Sequence, residues 1–191
     1  MTAFILASSS PRRRELLASL GIAFTIHKPD IDENQYPGEP PQDYVRRLSQ
    51  QKAAQVSGQV ADPAYILAAD TVVIHAGDIL GKPADADEAR QMLRRLRGEA
   101  HRVCTAITLS APQRPPLTEI TCTDVFMRAY SDAEIEAYIA SGDPFDKAGS
   151  YAIQHEAFAP VAKIEGSYSN VVGLPLETLQ RLLAQTGWPS G

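Results

Sequence analysis

Three arginines, Arg12, Arg13 and Arg14, follow Ser8-Ser9-Ser10-Pro11 in a stretch that opens a helix. Ser10 suits an N-cap and Pro11 the first helical position. Cations at a helix N-terminus are unfavourable by roughly 0.3–1 kcal/mol each, and these also repel one another. A chain breaks a local rule of this kind mostly where function requires it. Free N–H groups, the serines Ser8 to Ser10 and several guanidinium groups converge on one spot, which suits a phosphate chain. The structural alternative is a solvated basic turn, and the preceding apolar strand favours the anion site.

Asp70 follows the apolar run Ala64-Tyr65-Ile66-Leu67-Ala68-Ala69. Open α/β sheets place their ligand crevice at such strand ends. A carboxylate there can hold a divalent metal or orient a water, or simply cap a turn. Lys52 falls on the apolar stripe of its helix with Tyr44, Leu48 and Val56. A charge there is costly unless it has a partner, reaches a cleft or snorkels to water. Lys82 stands between a hairpin and a helix, where a surface turn is the ordinary role. Asp32 and Glu33 could hold a metal, or form a solvated acidic loop.

Other signatures fail. Gly77-Asp78-Ile79-Leu80-Gly81-Lys82-Pro83 lacks the spacing of a P-loop, and Pro83 replaces the required Ser or Thr. His155-Glu156 has no second zinc-peptidase histidine, and neither G-x-G-x-x-G nor G-x-S-x-G occurs. His27, His75, His101 and His155 are scattered and read as packing or surface residues. Cys104 and Cys122 lack CxxC spacing and read as two buried thiols rather than a disulfide.

The elements that must position these groups alternate. Residues 3–7 predict a buried strand, 11–20 a helix ended by Gly21, and 22–28 a second strand. Residues 29–41 form a proline-rich acidic loop, and a helix covers about 41–57. A strand over 64–69 continues through Val72-Val73-Ile74 to a hairpin turn at Gly77-Asp78. Residues 85–97 are helical. Stretches 100–110 and 118–128, split by a proline-rich turn, form an antiparallel pair. Ser131 and Glu134 make a capping box for a helix to about Ser141. Residues 144–168 mix turns with short strand-like pieces, and Pro175 opens the last helix. The class is α/β with a mixed sheet.

The chain has 191 residues, which at roughly 150 per domain fits a single domain over 1–191. Apolar residues make up 44% and charged residues 21%, enough apolar surface to exclude a disordered chain. The longest apolar run is far short of the roughly 20 residues of a membrane span, and the start Met1-Thr2-Ala3-Phe4 lacks the basic region of a signal peptide. A net charge of −5 argues against a nucleic-acid coat but not against an anionic small substrate.

Five blocks resemble the Maf family, in family order and across nearly the whole chain: Leu6-Ala7-Ser8-Ser9-Ser10-Pro11-Arg12-Arg13, Asp70-Thr71-Val72-Val73, Gly81-Lys82-Pro83, Asp146-Lys147-Ala148-Gly149-Ser150-Tyr151-Ala152-Ile153-Gln154, and Val172-Gly173-Leu174-Pro175-Leu176. The resemblance implies a Maf/ITPase-like two-lobed α/β fold, a twisted mixed sheet flanked by helices with a central cleft. It implies a nucleoside triphosphate pyrophosphatase that releases a nucleoside monophosphate and pyrophosphate. A divalent cation (Mg²⁺ or Mn²⁺), a homodimer and a cytoplasmic location come with it. By position, Asp70 resembles the family's acceptor of a proton from water. Arg13, Lys52 and Lys82 resemble its phosphate-contacting residues, with Ser8 beside them. Glu33 and Asp70 stand where it holds metal. Arg12, Thr71 and Gln154 match the branch acting on dTTP and UTP, whereas the 7-methyl-GTP branch tends to show Trp, Gln and Glu there. A 7-methyl-GTP pyrophosphatase and a nucleotide-binding regulator of cell division with little turnover are the alternatives. Two positions depart from the family pattern: His155 follows Gln154 in place of Gly, and Gln51 replaces Glu before Lys52.

Overall fold

Phe4, Ile5, Leu6 and Ala7 are all buried, so the first apolar run forms a strand, β1 (Ala3–Ala7), covered on both faces, the usual setting of a parallel strand. Its partners, β2 (Thr25–Ile26) and β3 (Ala64–His75), both run parallel to it. The computed structural model describes residues 2–189; Met1, Ser190 and Gly191, the outer residues of the expected 1–191 domain, lie outside the described residues. In chain order the remaining elements are α1 (Pro11–Ala18), α2 (Pro41–Gln59), β4 (Asp78–Leu80), α3 (Ala86–Leu96), β5 (Ala100–Ser110), β6 (Leu117–Met127), α4 (Asp132–Ala140), β7 (Val161–Glu165), α5 (Tyr168–Val172) and α6 (Leu176–Thr186). Two short 3₁₀ turns cover Asp143–Asp146 and Ala148–Ser150. The sheet order is β2-β1-β3-β5-β6-β7, with β4 paired to β3. The expected mixed sheet flanked by helices is present.

Contacts divide the chain into two units. The first comprises residues 1–70, 105–121 and 173–191. Its strands alternate between two cores. Phe4, Leu6, Tyr65, Leu67, Ile107 and Leu109 pack with Leu17 of α1 and Leu179, Leu182 and Leu183 of α6. Ile5, Ala7, Ile66 and Ala68 pack with Ala53 and Val56 of α2. The second unit comprises 71–104 and 122–172. Its core joins Val73, Leu93, Leu96, Val103, Val125, Ile135, Tyr138 and Phe158.

Three expectations need correction. The strand expected over 22–28 shrinks to two residues, Thr25 and Ile26. Ile22 and Phe24 are half-buried against the core, so their alternation reports packing rather than pairing. Asp70 does not end its strand, because β3 runs unbroken for 12 residues. Cys104 and Cys122 are not two thiols but one disulfide, with Cα atoms 4.1 Å apart. They face each other on neighbouring strands whose short connection permits only antiparallel pairing, and that register brings the sulfurs together. The hairpin is present, with its turn one residue earlier than expected: His75 pairs with Asp78 of β4, and Ala76 and Gly77 between them both have positive φ (51° and 89°), the signature of a two-residue type I′ turn.

His101, on β5, is buried in the second unit. Its Nε2 shares a 2.7 Å hydrogen bond with the Tyr151 hydroxyl, while Nδ1 is buried without a hydrogen-bond partner. Burial, with a smaller contribution from His75, holds the imidazole down to about 4 from 6.5. The folded state therefore refuses a proton that the unfolded chain accepts. The stabilisation, about 3 kcal/mol, is present above the unfolded value and is lost as pH falls from there through the folded one. Urea midpoints are expected to fall more steeply between pH 6.5 and pH 4 in the wild type than in His101→Asn. Parallel slopes would show that His101 is not the titrating group.

Candidate active site

β1 ends at Ala7 opposite Ala68 of the parallel β3. Ser8 and Asp70 follow those residues at the carboxyl end of the β1–β3 pair, where open parallel sheets bind ligands. β3 pairs with β1 as far as Ala68 and takes up β4 only from Val73, so Asp70 lies in the interval between those two pairings. Ser8 is buried, and its Oγ accepts from Ser10 N (3.2 Å) and Arg13 Nη1 (3.4 Å). Ser10 caps α1 through the Arg13 amide, and Pro11 opens the helix as expected. Of the three arginines, Arg13 turns back over the strand end: its Nε donates to the Gly173 carbonyl at 2.9 Å. Desolvation lowers its pKa, against the attraction of Asp70. The cation misplaced on helix-dipole grounds is thus held in place by a carbonyl from far along the chain.

Lys52 lies on the buried face of α2 with Val45, Leu48, Ala53 and Val56. It has a partner, not a snorkelling path: its Nζ is 2.6 Å from Asp70 Oδ1 and 2.9 Å from Glu33 Oε1. Burial pushes the Asp70 carboxyl above the ordinary aspartate range, Lys52 and Arg13 pull it back, and Glu33 adds to the rise. One ammonium thus bridges a buried carboxylate on a strand and an exposed one on the acidic loop.

The loop carrying Glu33 is fastened by Arg47, which the sequence did not single out, and by Tyr44 and Gln51, to which it gave no such role. Arg47 of α2 grips Glu39 with Nε at 2.6 Å and Nη2 at 2.7 Å, and donates to the Asn34 carbonyl at 3.0 Å. Its guanidinium lies 3.9 Å from the centre of the Tyr36 ring. Hydrogen bonding from Arg47 holds the Glu39 carboxyl below its usual range. Tyr44 donates to the Glu33 carbonyl at 2.9 Å. Gln51, the departure before Lys52, accepts from Arg47 Nη1 at 3.2 Å. Tyr44, Arg47 and Gln51 recur at helical spacing on one face of α2, and that was the available signal. Asp32 caps the Asn34 amide at 2.9 Å, a local turn role that leaves Glu33 to meet Lys52.

The first unit therefore gathers Ser8, Arg12, Arg13, Glu33, Lys52 and Asp70, whereas Thr71, Lys82 and Gln154 belong to the second. Thr71 follows Asp70 on β3. Lys82 is exposed just after β4, and Gln154 is exposed on the turn after Tyr151. Gly149 N donates to the Gly81 carbonyl at 3.0 Å. Gly149 has φ +70°, which favours glycine, and a Cβ there would lie 3.1 Å from Val73 Cγ1, a tight contact to which Val73 would have to yield. Two carboxylates meeting at one ammonium give hard oxygen donors of the kind a small divalent cation takes. Among the described residues no group of three or more His, Cys, Asp or Glu is placed to hold a metal.

Residues 3–186 match the model of the Maf-like proteins. The chain is 48% identical over 188 residues to the dTTP/UTP pyrophosphatase of Anaeromyxobacter dehalogenans strain 2CP-1, covering 97% of this chain and 94% of that one. It is 48% identical over 184 residues to the dTTP/UTP pyrophosphatase of Escherichia coli O157:H7, covering 96% and 93%. Among solved structures, a HAM1 protein from Coxiella burnetii shares the fold with a TM-score of 0.53 at 16% identity, covering 97% of this chain and all of that one. On these matches, which span nearly its full length, the chain belongs to the Maf family.

Proposed function

We propose that this chain hydrolyses dTTP and UTP to the nucleoside monophosphate and pyrophosphate, by attack of water on the α-phosphorus. The observation that carries the reading is the buried Asp70 carboxylate 2.6 Å from Lys52, beside the Ser8–Arg13 corner. The water oxygen bonds to the α-phosphorus while the bond from that phosphorus to the bridging oxygen of the β-phosphate breaks. The bonding pair leaves with pyrophosphate, and the water proton goes to Asp70. A carboxyl held above the ordinary aspartate range is a better proton acceptor than a free one. Arg13, Lys52 and Ser8 bind phosphate oxygens, and the family resemblance gives Lys82 the same task. Positioning and charge neutralisation supply most of the catalysis in such transfers.

Glu33 and Asp70 would hold Mg²⁺ or Mn²⁺, with phosphate oxygens and waters completing the coordination, since such ions often use one or two carboxylates plus substrate. When bound, the ion supplies charge neutralisation and a more acidic water. Arg12, Thr71 and Gln154 select the base, matching the residues of the dTTP and UTP branch. We also propose a cytoplasmic location and a homodimer, as the family resemblance implies, and no nucleic-acid partner, in keeping with the net charge of −5. Among the described residues no helix is long and apolar enough to cross a membrane.

A pyrophosphate-release assay with UTP, dTTP, GTP and 7-methyl-GTP, with Mg²⁺ and with excess chelator, tests the reading. Turnover of UTP and dTTP in Mg²⁺, falling at least about 100-fold with chelator, is expected. Equal rates on all four nucleotides would overturn the selectivity. Tight binding of UTP without pyrophosphate release would overturn the reaction.

A further inference from the structure

We propose that His155 is a positioning residue for base selection: it locks the turn that presents Gln154. The inference rests on the reading of Gln154 as a base-selecting residue. His155 ties the turn at three points. Its Nδ1 accepts from Phe158 N at 3.0 Å, its carbonyl accepts from Ala159 N at 2.7 Å, and its own amide donates to the Ala152 carbonyl at 3.3 Å. The first of these needs the side chain, and glycine cannot supply it. The ring also meets Tyr138 edge-on, with centroids 4.7 Å apart.

Tyr138 extends the lock. Its ring stacks on Phe158, and its hydroxyl takes the Ala152 amide at 3.1 Å while donating to Asp143 at 2.7 Å. Asp143 is held by the buried Lys147, whose Nζ donates to the Asp143 carboxylate and carbonyl and to Asp146. Hydrogen bonding from Tyr138 and Lys147 keeps the Asp143 carboxyl below its usual range against the cost of its burial. Gln154 thus projects, exposed, from a turn fastened on either side. The backbone gives no reason for a glycine at 155: the described non-glycine residues with positive φ are Ala76, Gln113, Ser150 and Ala159, and His155 is not among them. A histidine is therefore compatible with the turn and adds a bond to it. A turn ordered before binding spares the ordering cost at the moment of binding, so the gain falls on KM and on discrimination between bases.

The test compares steady-state pyrophosphate release from UTP and GTP by the wild type, His155→Gly, His155→Asn, Tyr138→Phe and Gln154→Ala. His155→Gly is expected to raise KM for UTP about tenfold with kcat within about twofold, and to lower the UTP-over-GTP ratio of kcat/KM about tenfold. His155→Asn, whose Oδ1 can accept the Phe158 N–H, is expected to recover that ratio to within about threefold. Tyr138→Phe keeps the ring but loses the Ala152 bond, and is expected to shift KM in the same direction; it carries the test if His155→Gly fails to fold. If Gln154→Ala loses discrimination while His155→Gly and Tyr138→Phe keep wild-type KM and ratio, the positioning role is overturned and the reading of Gln154 stands. If Gln154→Ala keeps wild-type discrimination, both fall.

Discussion

Asp70→Asn is expected to lower kcat on UTP by about 10³-fold or more while leaving the fold and melting temperature intact. General-base groups contribute roughly 10²–10⁴-fold, and in the proposed reaction Asp70 is the acceptor of the water proton. The substitution keeps shape and volume and removes only the charge. Burial holds the carboxyl above its ordinary range despite Lys52 and Arg13, so the ionised form strains the folded state. Asn should therefore melt at the wild-type temperature or above it, the usual trade between stability and a reactive site. The paired measurement is single-turnover release of pyrophosphate beside thermal denaturation. A variant with wild-type turnover would remove Asp70 from the mechanism. A variant that unfolds would instead make the Lys52–Asp70 pair a structural necessity.

Lys52→Met should cost about 10²–10³ in kcat/KM, the scale of losing one charge-stabilising donor in a water-poor site. Lys52 also keeps a second effect in view. It is the strongest influence holding Asp70 down, so its removal should move the Asp70 carboxyl further up. Carbon-13 titration of the Asp70 side chain in metal-free protein would read that shift directly. An Asp70 titration unchanged in Lys52→Met would mean that the 2.6 Å contact does not persist in solution. Lys52→Arg is not expected to restore activity, because a planar fork does not occupy the point where a compact ammonium meets two carboxylates.

The parts of this site legible in the sequence were those that broke a local rule. Arginines at a helix start, a lysine in register with Leu48 and Val56, and a carboxylate after six apolar residues each contradict their surroundings. The structure resolves these contradictions with partners: Gly173 for Arg13, and Asp70 with Glu33 for Lys52. What was not legible depends on segments meeting in space. The Cys104–Cys122 bond follows from strand register, which no spacing rule for metal or redox motifs encodes. Arg47 looks like an ordinary helix arginine until the loop carrying Glu39 folds onto it. Half-buried Ile22 and Phe24 mimic a strand because alternation records which side faces the core, not whether a neighbouring strand is there to bond. Lys147 and Asp143 look like two charges in a mixed loop, and only the fold shows that both serve Tyr138.

The contact between Gly149 and Val73, with the Gly149 amide on Gly81, bears on how the protein could be re-engineered. Two stretches about seventy positions apart pack so closely that a methyl group added at 149 would press on the Val73 side chain. A chimera that imports another relative's stretch around Gln154 would have to bring the matching β3 and β4 residues with it. Without them, a new nucleotide preference would arrive together with a misfitted hairpin.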